Sequence, residues 1–144
     1  MQHSLKIGRQ IYQQRPVSVL LLGVLGLFTV LASWFKSLGF HADYVYRMEI
    51  AVGGDTHLHS LLALLLTLAL YRVLSATSHS YKIVVLTGVL IAIGCLVDEG
   101  MQAFSPLRTF SIMDILASLI GVTLASLMNT FLAGVKQRKR KSAR

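Results

Sequence analysis

The stretch Asp98–Gly121, DEGMQAFSPLRTFSIMDILASLIG, joins two apolar runs through a polar turn, and its reading decides the fold. Asp98, Glu99 and Gln102 close the run IVVLTGVLIAIGCLV, Arg108 sits in a connection that contains Pro106, and Asp114 opens a run that continues to Val135. Ionisable side chains at such a boundary are expensive unless paired, hydrated or used, so this boundary is a candidate site. The connection from Phe104 to Phe110 is short, which makes the flanking helices antiparallel neighbours. Ser111 followed by Asp114 has the form of a capping box at the start of the second helix. Beyond it, Ser118, Gly121 and Ala125 recur at spacings of three and four, a small-residue strip along which another helix can approach closely.

Two more apolar runs lie upstream. Val17 to Phe35, VSVLLLGVLGLFTVLASWF, carries no charge, and at about 1.5 Å per residue it reaches roughly across a ~30 Å hydrocarbon layer. Its aromatic end, Trp34 and Phe35, places Lys36 just beyond an interface. The run is longer than a signal-peptide core and no convincing small-residue cleavage site follows, so it reads as an uncleaved first span. The next segment, SLGFHADYVYRMEIAVGG, is an aromatic loop with a short interfacial segment holding Phe40, Tyr44 and Tyr46. Asp55, after two glycines, is placed to cap the span that begins DTHLHS and ends near Tyr71 and Arg72.

Composition agrees. Of 144 residues 54% are hydrophobic and only 14% charged, and the mean hydropathy is +0.64, too apolar for a soluble domain of ordinary composition. The formal charge of +8 gathers in the N-terminal segment and in the tail KQRKRKSAR, which fits an anionic membrane surface and argues against a nucleic-acid partner. Cys95 is the single cysteine, so no intrachain disulfide exists.

These readings give an all-α membrane protein: a small antiparallel bundle of four transmembrane helices, with spans at about 17–35, 56–76, 82–103 and 112–135. Residues 1–16 form a polar N-terminal segment and 136–144 a basic tail. With four spans both termini share a side, which holds Lys6, Arg9, Arg15, Arg72, Lys82 and the six basic residues of the tail, against Lys36, Arg47 and Arg108 on the other. By the positive-inside rule the termini are cytoplasmic. All six acidic residues, Asp43, Glu49, Asp55, Asp98, Glu99 and Asp114, then fall at the outer side.

Helical spacing puts Asp55 and His59 on one face, Asp98 and Gln102 on another, and Asp114, Ser118 and Gly121 on a third. His57, two residues from His59, points elsewhere. If the faces converge, three chemistries are open. In the first, Asp55, Gln102, Arg108 and Ser118 bind an anionic lipid or lipid-linked precursor, with Arg108 gripping phosphate or carboxylate through its planar fork. His59, Asp98, Glu99 and Asp114 are then the candidate catalytic groups, His59 serving as general acid or base. In the second, Asp55, His59, Asp98, Glu99 and Asp114 ligate a divalent cation. In the third the cluster is a structural network that packs helices, with Arg108 neutralising acids and Asp55 and Asp114 capping helix starts. Capping does not account for Asp98 and Glu99, since a helix C-terminus disfavours negative charge.

DTHLH before an apolar span, then DEGMQAFSPLR and SIMDILASLIG, resembles the VanZ-like membrane protein family. That family's pattern is Asp-Lys-x-x-His opening one span, an acidic pair with Gln closing the next, an Arg in the short loop, and Asp-x-x-x-Asn-x-x-Gly opening the last. Asp55, His59, Asp98, Glu99, Gln102, Arg108, Asp114 and Gly121 match it, over roughly residues 55 to 125. Thr56 stands where Lys is common, Ala63 where an aromatic often follows the His, and Ser118 where Asn is common. The resemblance implies a multi-pass protein of the bacterial cytoplasmic membrane with a cell-envelope role, the family's namesake being associated with low-level resistance to the glycopeptide teicoplanin. Membrane lipid or a lipid-linked envelope precursor is the implied partner, and no cofactor is implied.

Overall fold

A computed structural model describes residues 16–75 and 80–142, all of whose regular structure is helical. Five helices follow in order: α1 (Pro16–Leu38), α2 (Ala42–Val52), α3 (Asp55–Leu74), α4 (Tyr81–Gln102) and α5 (Ile112–Ser142). Four of them, α1, α3, α4 and α5, are long and apolar enough to cross a membrane. The N-terminal basic residues and His79 lie outside the described residues.

The interior is inverted relative to a soluble bundle. The largest fully buried side chains are Glu99, Asn129, Thr67, Thr87, Ser75 and Ser118, while Leu20, Leu27, Val85, Ile93, Ile120 and Phe131 are all exposed. Lipid tails are as apolar as leucine, so large side chains gain nothing by turning inward, and helices associate instead through small residues. Ala63, Ala69, Ala117, Ala125 and Ala133 supply that core. Thr67 and Thr87 are satisfied within their own helices, donating to the carbonyls of Ala63 and Val84 at 2.7 and 2.8 Å. Met101, Met113 and Met128 cover the outside and do not fill the core.

The most extensive helix pair is α3 with α5. Gly121 makes it possible: a Cβ built there would overlap the Ser60 carbonyl oxygen and lie 3.1 Å from the Leu64 amide nitrogen. Gly88 plays a milder version of this part between α4 and α5, its virtual Cβ 3.1 Å from Ser126 Oγ. Gly94, by contrast, has nothing within 4 Å and opens onto a cavity. Helix α1 packs on α2 and α3 and buries no residue of its own, so it flanks the bundle.

Two local expectations are corrected. The segment read as a loop contains an 11-residue helix, α2, which buries Val45 and Glu49 on one face and exposes Tyr44, Tyr46 and Ile50. Its end is set by Gly53 and Gly54, at φ 97° and 121°, whose amides return to the carbonyls of Ile50 and Glu49. The N-cap of α3 is therefore Gly54, which has no side chain to cap with, and Asp55 is the first helical residue. The fourth span, Ile112–Val135, is as expected, and its helix α5 continues beyond it through Ser142.

Candidate functional site

Asp98, Gln102, Asp55 and Asp114 meet because the C-terminal ends of α1 and α4 and the N-terminal ends of α3 and α5 lie at one end of the antiparallel bundle. Exposed Trp34, Phe40, Tyr44, Tyr46, Phe104 and Phe110 ring this end, the composition of a membrane–water interface. The polar cluster lies at the same end of the bundle as these aromatics.

A cavity of about 270 Å³ opens among its side chains. Lys36, Glu49, Asp55, His59, Asp98 and Arg108 form its polar end, and Val30, Leu62, Leu66, Ile91 and Cys95 its apolar wall. From Lys36 down to Gly26 it follows α1 for ten residues, about 15 Å, or half the hydrocarbon thickness. It also separates α1 from α4, both of which line it.

Two hydrogen-bonded groups build the mouth. Lys36 Nζ donates to Glu49 Oε1 at 2.6 Å and to Asp55 Oδ2 at 2.8 Å, joining α1, α2 and α3. Lys36 thus turns back into the bundle. Across the cavity, Ser33 Oγ donates to Asp98 Oδ1 at 2.6 Å and accepts from Arg108 Nη1 at 3.1 Å, while Gln102 Nε2 donates to Asp98 Oδ2 at 3.1 Å. Ser105 Oγ donates to the Ser37 carbonyl at 3.1 Å and ties the loop bearing Arg108 to α1. Arg108 does not neutralise an acid directly: among the described residues no carboxylate lies within ion-pair distance of it, and Ser33 carries the link to Asp98.

Behind this mouth lies a more buried layer. His59 Nε2 stands 3.4 Å from Asp55 Oδ1, one helical turn away. Asp114 Oδ1 accepts from Thr56 Oγ1 at 2.7 Å, across the α3–α5 contact. Glu99, 1% exposed, accepts the Ser111 backbone N–H at 2.6 Å through Oε1. The capping box is therefore shared: Ser111 Oγ accepts from the Asp114 amide at 3.3 Å as expected, but the return bond to the Ser111 amide comes from Glu99 on α4.

Of the residues predicted to bind a ligand, Asp55 and Arg108 line the cavity; Gln102 and Ser118 are buried beside it. Of the candidate catalytic groups, His59 and Asp98 line it, while Glu99 and Asp114 lie buried behind. His57 is exposed and packs against Gly53, on a different side from His59. Sequence reasoning missed Ser33, Lys36, Glu49 and Thr56. One signal was available: Gly26, Thr29, Ser33 and Lys36 form a small and polar stripe at helical spacing on an otherwise apolar span, and all four line the cavity. Compared with known protein families, curated proteins and solved structures, the chain shows no match.

Proposed function

We propose that this chain is a multi-pass protein of the bacterial cytoplasmic membrane, VanZ-like in its motif residues, that binds an anionic lipid or lipid-linked envelope precursor at its extracytoplasmic end. One observation carries the reading. Arg108 faces an amphiphile-shaped cavity with a single one of its five N–H donors engaged, on Ser33, among the described residues. A phosphate or carboxylate headgroup would take its remaining donors as charge-assisted hydrogen bonds. The apolar channel along α1 would accept the first part of the attached chain. The volume is just under the roughly 300–1,000 Å³ usual for small-molecule pockets, which favours a single chain over a whole lipid. Thr56, where the VanZ-like pattern has Lys, donates to Asp114, and the cation beside Asp55 comes instead from Lys36.

The test is mass spectrometry of lipids that copurify with the detergent-extracted protein. Wild type should retain an anionic lipid, and Arg108→Ala should lose about tenfold or more of it, the size expected for a charge-assisted contact. Equal retention by a well-accumulated Arg108→Ala protein would remove the reading. A variant that does not accumulate would favour the second reading, a purely structural network, which the Ser33 link between Arg108 and Asp98 supports.

Orientation has its own measurement. A reporter fused after Val135 should behave as cytoplasmic and one inserted at Ser105 as extracytoplasmic, as the distribution of basic residues requires. The reverse pattern would move the site to the cytoplasmic face.

A further inference from the structure

Behind the cavity, one potential ligand atom each from Asp55, His59 and Asp114 lies within 4.8 Å of the others. Three ligands held about 2.0–2.2 Å from one metal stand at most about 3.8 Å from one another, so the cluster closes by about an ångström on binding. Both carboxylates already have one oxygen fixed by a supporting donor, Asp55 Oδ2 by Lys36 and Asp114 Oδ1 by Thr56. Each keeps a second oxygen to offer. Outer partners of this kind orient metal-binding carboxylates.

An independent observation points to a cation. Glu99 is 1% exposed, and its Oε2 has no hydrogen-bond partner among the described residues while Oε1 holds the Ser111 amide. Its bonded Ser111 in turn accepts from the Asp114 amide, so this carboxylate lies beside the α5 turn that carries Asp114. A buried anionic oxygen left without a partner is strongly unfavourable. Charge makes the same demand on a larger scale. This end of the bundle holds Glu49, Asp55, Asp98, Glu99 and Asp114 against Lys36 and Arg108, five acids less two bases, a deficit of three that a divalent ion would reduce to one.

We infer that Asp55, His59 and Asp114 ligate a divalent transition-metal ion, whose charge also offsets that of the buried Glu99 carboxylate. Carboxylate oxygens with one imidazole suit Mn²⁺ or Zn²⁺, and no thiolate is present to select a softer ion. Asp98 is not a ligand, because Ser33 and Gln102 occupy its two oxygens. The site goes beyond lipid capture and does not depend on it.

The experiment uses the full chain, stripped with chelator, in nanodiscs of zwitterionic lipid, with Mn²⁺ and Zn²⁺ presented separately in equilibrium dialysis. Wild type should bind one ion per chain, Zn²⁺ more tightly than Mn²⁺. His59→Gln and Asp114→Asn should each weaken binding by about 30-fold or more, and Thr56→Val, which removes only a supporting donor, by about tenfold. Asp43→Asn, on the exposed face of α2, should leave ion binding unchanged, and lipid retention scored alongside ion binding distinguishes a failed metal site from a failed lipid site. If Asp114→Asn does not accumulate, His59→Gln and Thr56→Val decide the question. Absence of stoichiometric binding by wild type, or wild-type binding by His59→Gln and Thr56→Val, overturns the inference.

Discussion

Gly121→Leu protein should fail to accumulate in the membrane, and Gly121→Ala should be destabilised by about 3 kcal/mol or more, at the upper end of what overpacking a core does. The reason is that the obstacle is backbone. A β-carbon at residue 121 would occupy the position of the Ser60 carbonyl, and helix backbone cannot swing aside as a side-chain tip can. The two helices would have to part, and everything that depends on their closeness would part with them. Ala117, Ser118 and Ala125 are buried on α5, and the 2.7 Å bond from Thr56 to Asp114 crosses the same contact. A packing change in mid-helix would thus be read at the polar end. Gly94→Ala is the control: nothing lies within 4 Å of its virtual Cβ, so the substitution should be neutral or stabilise the helix by up to about 1 kcal/mol. Immunoblots of membrane fractions and thermal unfolding in detergent measure both. Wild-type levels and melting for Gly121→Leu would show that the helices do not meet at this glycine.

The contrast between these glycines shows where sequence reading succeeds and where it stops. The strip of Ser118, Gly121 and Ala125 was legible because three positions at helical spacing define a face, and a face made only of small residues has one physical use in a membrane. The four apolar runs and the gathering of acids at one end were legible for the same reason, since each depends on spacing along one helix or on charge along the chain. Gly94 was not, because an isolated glycine does not say whether its open side meets a helix or a cavity. Lys36 was missed more consequentially. At the end of an apolar run after Trp34 and Phe35 it has the form of an interfacial anchor, and only the position of α2 shows that it is drawn inward. Helix α2 itself was obscured because its buried face carries Glu49, so the apolar periodicity that announces a helix is broken where the ion pair forms. Asp55 was assigned to capping by its neighbours in sequence; the two glycines before it supply the turn, which frees the carboxylate for Lys36 and His59.

Lys36→Met should therefore lower stability by about 3 kcal/mol, an effect to be expected only of a cation that is part of the interior. Its ammonium is shared by two carboxylates on different helices, and the Glu49 side chain is only 7% exposed. Removing one partner of a buried pair leaves the other charge desolvated, a loss of roughly 3–5 kcal/mol in proteins where it has been isolated. The lower figure is the better expectation, because Asp55 is 36% exposed and keeps His59 within 3.4 Å. The consequence is local as well as global: α2 packs mainly on α1 and α3 and is bonded to α1 through Lys36, so its protection from hydrogen exchange should fall first. The double variant Lys36→Met/Glu49→Met separates charge from packing. Replacing both members by apolar side chains of similar length is often neutral, so the double variant should recover most of the lost stability, a coupling well outside the few tenths of a kcal/mol seen between independent sites. If the double variant instead melts below Lys36→Met, then Glu49 is stabilised by something other than Lys36 and α2 is not held by this ion pair.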